Sequence, residues 1–234
     1  MVYRVAVITG AGSGLGAFLA KKYSRQGVHV VLLGRSEEKL FKVADALPSN
    51  HSVYVTDVSC KKEVQRVFDS IRKEVGPVDL LINNAGVGSF DLAENISEES
   101  IHEMIDINLK GTIFCTQQVL KQMKARNQGC IVNIVSTAGK QGKVHESVYC
   151  ASKFGVRGFT ESLTLELQET SIQVVGVYMG GMKTEFWNGI FTSEQTKNLM
   201  NPDDVADIIM ENIQPRKYLT VEEMIIKNKK NFLC

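Results

Sequence analysis

Along the chain, short and nearly continuous apolar runs alternate with longer stretches whose apolar residues recur every three or four positions. The runs at 4–9, 28–33, 52–55, 79–82, 130–135 and 172–178 are rich in β-branched residues and predict strands buried on both faces, as a parallel sheet requires. Helical periodicity predicts helices over 14–26, 37–46, 61–75, 98–126 and 148–168, then a last helix over 202–213 and a closing strand at 224–226. Ser36 and Ser97 stand where an N-cap is needed, and Asn201 caps the last helix with Pro202 at its first position. No Pro/Gly/Ser-rich linker, internal repeat or low-complexity tract interrupts this alternation, so residues 1–234 are expected to form a single α/β domain. The pattern is that of a doubly wound parallel sheet of about seven strands with helices on both faces. In such a sheet ligands sit beyond the carboxyl ends of the strands, so the residues just after each strand carry the chemistry.

Composition narrows the function classes. With 27 basic residues against 26 acidic ones, no global field exists to hold nucleic acid or an anionic membrane, and neither partner is expected. The apolar runs are far shorter than the roughly 18–20 residues that span a bilayer, and no secretory signal pattern opens the chain. Five cysteines lack C-x-x-C spacing and four histidines are scattered, so neither a disulfide scaffold nor a metal site is expected. A reduced, cytoplasmic enzyme or binding protein remains.

After the first strand comes Thr9-Gly10-Ala11-Gly12-Ser13-Gly14-Leu15-Gly16, leading straight into a helix. Glycines let the backbone turn tightly and approach a pyrophosphate, and the helix start offers unpaired N–H donors and partial positive charge. A ligand-free turn is the plainer alternative, whereas the absence of a Gly-Lys-Ser/Thr ending argues against a mononucleotide P-loop. An acidic residue after the second strand would hold a ribose 2′-hydroxyl and repel a 2′-phosphate. Here Gly34-Arg35-Ser36 leaves space and offers a cationic fork and a hydroxyl, which favours NADP(H). The alternatives are a solvated arginine, or a ribose contact from Glu37 or Glu38 if the strand ends later.

Tyr149-Cys150-Ala151-Ser152-Lys153 opens a helix, and i,i+4 spacing puts Tyr149 and Lys153 about 5–6 Å apart on one face. A phenol is a weak acid at neutral pH, and a neighbouring cation favours its phenolate. Ser136 ends the fifth strand and precedes Tyr149 by 13 residues, a loop long enough to bring hydroxyl and phenol together.

With these motifs in order, the whole chain resembles the short-chain dehydrogenase/reductase family, in a compact, NADP-preferring form. Thr9–Gly16 matches its glycine turn, Asp57-Val58 its adenine contact, Asn83-Asn84-Ala85-Gly86 its N-N-A-G element and Asn108 its helix asparagine; Ser136, Tyr149 and Lys153 match the remaining catalytic positions. The resemblance implies a Rossmann fold with Asn108, Ser136, Tyr149 and Lys153 as catalytic residues. It implies cofactor contacts from Gly10, Ser13, Gly14, Leu15, Gly16, Arg35, Ser36, Asp57, Val58, Asn84, Ala85, Gly86, Tyr149, Lys153, Gly180 and Thr184. Tyr149 would exchange the proton, Ser136 stabilise the substrate oxygen, Lys153 bind the nicotinamide ribose and tune Tyr149, Asn108 hold a relay water, and Thr184 reach the carboxamide. One departure is Met179-Gly180 where the family usually has Pro-Gly, which puts the placement of the nicotinamide ring in question.

Residues 185–201 fall where this family builds a substrate lid, and Phe186, Trp187, Ile190 and Phe191 make an apolar pocket one reading and interface packing the other. Lys140, Lys143 and His145 stand at the expected mouth, either solvated or attracting an acidic substrate. The expected function is NADP(H)-dependent interconversion of a carbonyl and a secondary alcohol, on a small hydroxy acid, ketone or other carbonyl. The alternatives are an NADP(H)-binding sensor and a 3-oxoacyl-thioester reductase. For the latter Lys121, Lys124 and Arg126 would supply one basic patch, but Gln168–Ser171 carries no cation for the second. Family members pair through long helices, so a homodimer or homotetramer is expected.

Overall fold

Ala6 and Ile8 of the first apolar run pack into one core and Val5 and Val7 into another, which is why the run carries no polar residue between them. The computed structural model describes residues 3–48, 50–216 and 218–229. Its strands are β1 Val5–Thr9, β2 His29–Gly34, β3 His51–Val55, β4 Leu80–Asn83, β5 Gly129–Ile134, β6 Ile172–Met179 and β7 Glu223–Ile226. They form one sheet in the order β3-β2-β1-β4-β5-β6-β7, with every neighbouring pair parallel. This is the doubly wound, Rossmann-type α/β fold, and the order reverses between β1 and β4, which is where such sheets bind ligands.

Helices α1 Gly14–Arg25, α2 Glu37–Ala44 and α7 Pro202–Asn212 cover one face through residues such as Leu19, Leu40 and Ile209. Helices α3 Lys61–Glu74, α5 Thr112–Arg126 and α6 Ser147–Glu166 cover the other through Phe68, Val119 and Leu163. The cap residues behave as their chemistry requires: Ser36, Ser97 and Asn201 accept from the backbone N–H groups of Lys39, Ser100 and Asp203.

Strand bounds agree with the apolar runs to within one residue, but the long fourth helix does not exist as one element. It is α4 Glu98–Met104, a π-helical segment Ile105–Gly111, and α5. The wider turn leaves the Asn108 carbonyl to the Thr112 hydroxyl, which donates to it at 2.8 Å. Gly111 fits closely here, because a Cβ on it would lie 2.8 Å from Val58 Cγ2.

At the opposite end of the sheet the buried Asp79 carboxylate accepts from the N–H groups of Arg4 and Val5 and pairs with Arg126 at 2.7 Å. Arg126 also donates to the Val78 carbonyl at 2.6 Å. It therefore fastens α5 to the start of β4, and does not stand free as part of a basic docking patch. Among the described residues no helix is long and apolar enough to cross a membrane. Cys60, Cys115, Cys130 and Cys150 are free thiols, and Cys234 lies outside the described residues.

Candidate active site

A cleft of about 430 Å³ opens above the ends of β1, β4, β5 and β6, within the range of small-ligand sites. Its floor is the glycine turn, locked to the Asn83–Gly86 segment by two side chains. Thr9 Oγ1 accepts from the N–H groups of Asn84 and Ala85, both at 2.9 Å, and Asn84 Nδ2 donates back to the carbonyls of Thr9 and Gly10 at 3.0 and 3.2 Å. Gly10 has φ +64°, and a Cβ there would sit 2.9 Å from Ala85 Cα; one on Gly16 would sit 2.4 Å from the Gly10 carbonyl oxygen. These contacts hold the turn open toward the cleft. Ser13, at the N-cap of α1, makes no side-chain capping bond, so its hydroxyl and the first helical N–H groups face whatever the cleft holds. The residues present therefore fit a dinucleotide pyrophosphate. Leu15 and Gly86 complete this wall, and Thr184 packs against Gly14, where a Cβ would meet its Cγ2 at 3.2 Å.

On the other side the fold brings Ser136, Tyr149 and Lys153 together. Ser136 follows β5 with φ +100°, a backbone conformation that residues other than glycine rarely adopt, and it accepts from the Ala138 N–H at 3.2 Å. Its hydroxyl also reaches the Tyr149 phenol and lowers the phenol's pKa, but burial outweighs this and leaves Tyr149 above its ordinary value. Lys153 Nζ lies 5.8 Å from the Tyr149 ring centroid and donates to the Ile134 carbonyl at 3.0 Å. Burial brings its ammonium down to about 8. The balance expected from the i,i+4 pair alone, a phenol made more acidic by its lysine, is thus reversed within the protein itself by desolvation.

Asn108 is 1% exposed, and its amide is fully directed: Nδ2 donates to Val87 O and Ser152 Oγ, and Oδ1 accepts from Val87 N–H at 2.8 Å. A Cβ on Gly86 would lie 3.3 Å from Asn108 Oδ1 and 3.6 Å from Lys153 Nζ, so both groups border the space that this glycine leaves.

Of the other residues named from the sequence, Lys143, Met179 and Gly180 line the cleft and several lie elsewhere. Arg35 is exposed and pairs with Glu103 at 3.3 Å, and Ser36 uses its hydroxyl to cap α2; neither lines the cleft. Asp57 accepts from Ser59 N–H and Oγ, and Val58 is buried beneath Gly111. Glu37 and Glu38 sit exposed in the first turn of α2. Lys140 turns away to Glu223 at 2.6 Å and stacks 4.1 Å from the Tyr178 ring, whereas Lys143 borders the cleft beside Glu146. Met179 ends β6 paired with Ile226, and the next N–H, of Gly180, donates to the Ile226 carbonyl at 3.0 Å. Strand pairing thus restrains the backbone where a proline ring would otherwise do so.

Over Tyr149 sits an aromatic group. Phe90 meets the phenol ring edge-on at 5.3 Å and Phe186 lies 6.1 Å from it. Trp187 stacks between Phe90 and Phe191 at 5.7 and 4.9 Å. Phe90 was not singled out by the sequence, since nothing marks a lone aromatic four residues after Gly86. Lys39 was also missed, although it lines the cleft and pairs with Glu185 at 2.5 Å. Its place one turn after Ser36 was the available signal.

A profile of the family described as short chain dehydrogenase matches residues 4–195. The chain is similar to an uncharacterized oxidoreductase of Staphylococcus saprophyticus, 32% identical over 96% of this chain and 97% of that one. It is also similar to a sepiapterin reductase of Chlorobaculum tepidum, 31% identical over 95% of each chain. Among solved structures, an alcohol dehydrogenase from the archaeon Thermococcus sibiricus, complexed with 5-hydroxy-NADP, superposes with a TM-score of 0.88 at 27% identity, covering 95% of each chain.

Proposed function

This chain belongs to the short-chain dehydrogenase family, and on that premise we propose that it is an NADP(H)-dependent oxidoreductase interconverting a carbonyl and a secondary alcohol. The observation that carries the reading is the convergence of Ser136, Tyr149 and Lys153 on a cleft floored by the Gly10–Gly16 turn. When bound, the nicotinamide cofactor supplies or accepts the hydride. In carbonyl reduction the Tyr149 hydroxyl gives its proton to the substrate oxygen, and in the reverse direction it takes one back. Ser136 Oγ donates to the same oxygen and stabilises the charge that develops on it. Lys153 would hold the ribose hydroxyls of the bound cofactor, and its charge opposes the desolvation that keeps Tyr149 protonated. Asn108 and Lys153, which both flank Gly86, would hold the water through which the proton is replaced.

The absence of an acidic residue at the end of β2 supports NADP(H), as does the NADP analogue bound in the Thermococcus sibiricus structure. The aromatic group over Tyr149 favours an uncharged, largely apolar carbonyl compound of small or medium size, and the reductase name of the Chlorobaculum tepidum relative points the same way. With Arg126 held by Asp79, a thioester on a carrier protein is the weaker choice. We extend the proposal to one domain over residues 1–234, a lid over 185–201, and a cytoplasmic homodimer or homotetramer; exposed Phe154 and Leu165 on α6 support pairing through that helix. The test is titration with NADPH and NADH, followed by NADPH oxidation against ketones, keto acids and quinones. Preferential NADPH binding with turnover of a panel member is expected; failure to bind either dinucleotide overturns the reading.

A further inference from the structure

Lys39 and Glu185 form an ion pair between two walls of the cleft, beside the contact of Thr184 with Gly14. Lys39 belongs to α2, and its stem lies over the glycine turn, where a Cβ on Gly12 would meet Lys39 Cβ at 3.0 Å. Its ammonium extends to the Glu185 carboxylate at 2.5 Å, with both side chains half-exposed. Glu185 begins the excursion that carries Phe186 and Trp187, and this excursion is pinched at its base. Lys183 N–H donates to Met200 O at 2.9 Å, and Met200 N–H to Gly181 O at 3.2 Å. Lys39, Ser13, Gly14, Glu185, Phe186 and Trp187 all line the same cleft. Arg35, the cation expected to meet cofactor phosphate, faces Glu103 instead.

A carboxylate held over a glycine turn opposes an incoming phosphate, because like charges repel at close range. An exposed ion pair is also a weak fastening, whereas phosphate oxygens make stronger, charge-assisted hydrogen bonds to an ammonium. We propose that Lys39 is a ligand of a cofactor phosphate and that Glu185 holds its place, so that phosphate and carboxylate exchange on one ammonium. Cofactor binding then releases the Glu185 end of the segment that bears Phe186 and Trp187. This inference rests on the dinucleotide-binding reading given above. The phosphate is either the 2′-phosphate or the pyrophosphate, and the comparison of NADP+ with NAD+ separates them.

Trp187 is the sole tryptophan, lies two residues after Glu185 and stacks on Phe90 and Phe191, so its fluorescence reports the position of this segment. NADP+ and NAD+ are titrated into the parent, Lys39→Met and Glu185→Gln, following Trp187 emission. The cofactor-free Glu185→Gln protein should show emission displaced toward that of the NADP+-bound parent, and should bind NADP+ about two- to fivefold more tightly. Lys39→Met should bind NADP+ about ten- to a hundredfold more weakly. A loss confined to NADP+ assigns the 2′-phosphate, and an equal loss for NAD+ assigns the pyrophosphate. If the parent binds and Lys39→Met binds both dinucleotides equally well, or if Glu185→Gln matches the parent in emission and affinity, the exchange does not occur. A parent that binds neither dinucleotide instead overturns the functional reading on which the exchange depends.

Discussion

Replacing Thr9 by valine keeps the volume of the side chain and removes only its hydroxyl, at the point where the glycine turn and the Asn83–Gly86 segment are joined. Thr9 is 2% exposed, and its Oγ1 accepts two backbone N–H bonds at 2.9 Å and donates a longer one to Ile82 O at 3.4 Å. In the valine variant the Asn84 and Ala85 N–H groups lose their partner. Each orphaned buried donor costs about 1–3 kcal/mol, and since both residues are only partly buried the expected total is about 2–4 kcal/mol. For a chain of this length, each kcal/mol lowers Tm by about 2–4 °C, so a fall of roughly 5–15 °C is expected. Thr9→Ser retains the hydroxyl and loses one methyl group, which costs about 1 kcal/mol. Denaturant unfolding of the three proteins decides the matter, with dinucleotide affinity measured alongside because the same bonds position Gly10. If Thr9→Val and Thr9→Ser are equally stable within about 0.5 kcal/mol, the hydroxyl does not hold the two loops and the reasoning fails.

Three further outcomes follow from the geometry. Ser136→Gly should be more stable than Ser136→Ala by about 1 kcal/mol or more, because both lose the hydroxyl but only glycine relieves the strain at φ +100°; equal Tm values would show that the strain is absent. Lys153 titrates near 8 in the folded protein and near 10.5 when unfolded, so the unfolded chain binds more protons between those values. The stability of the parent relative to Lys153→Met should therefore rise from about pH 8 to 10.5 and stay level below pH 8; a flat difference throughout would place the lysine in contact with solvent. Arg126→Ala, which takes the nearer of two cations from the buried Asp79 carboxylate and leaves it only the exposed Arg4 at 3.9 Å, should destabilise the fold by about 3 kcal/mol, with little effect on kcat, since the pair lies at the far end of the sheet. A loss of activity without loss of stability would contradict that placement.

The sheet was legible because buried parallel strands must be apolar on both faces, and the glycine turn because only glycine tolerates the approaches at Gly10 and Gly16. The meeting of Ser136, Tyr149 and Lys153 was legible from spacing together with the strand order. Three features were not. The π-helical segment around Asn108 has the same apolar periodicity as the α-helices beside it, and its wider turn is stabilised by the hydroxyl of Thr112 and the tight fit of Gly111, both tertiary or geometric facts. The acidity of Tyr149 depends on burial that i,i+4 spacing does not encode, so a pair that should favour the phenolate sits in surroundings that oppose it. The partners of the cations were not legible, because charge along a sequence does not reveal them. Arg35 turned to Glu103, Lys140 to Glu223 and Arg126 to Asp79, leaving Lys39 as the lysine beside the glycine turn.

The central claim is that Tyr149 exchanges the proton in a hydride transfer supported by this cleft. It is tested most directly by measuring NADPH affinity and NADPH-dependent carbonyl reduction for the parent and Tyr149→Phe under identical conditions. Removing the general acid and nothing else should lower turnover by about 10²–10⁴-fold while NADPH affinity stays within about twofold of the parent. A Tyr149→Phe enzyme that turns over within about tenfold of the parent would contradict the account, because the proton would then have another source.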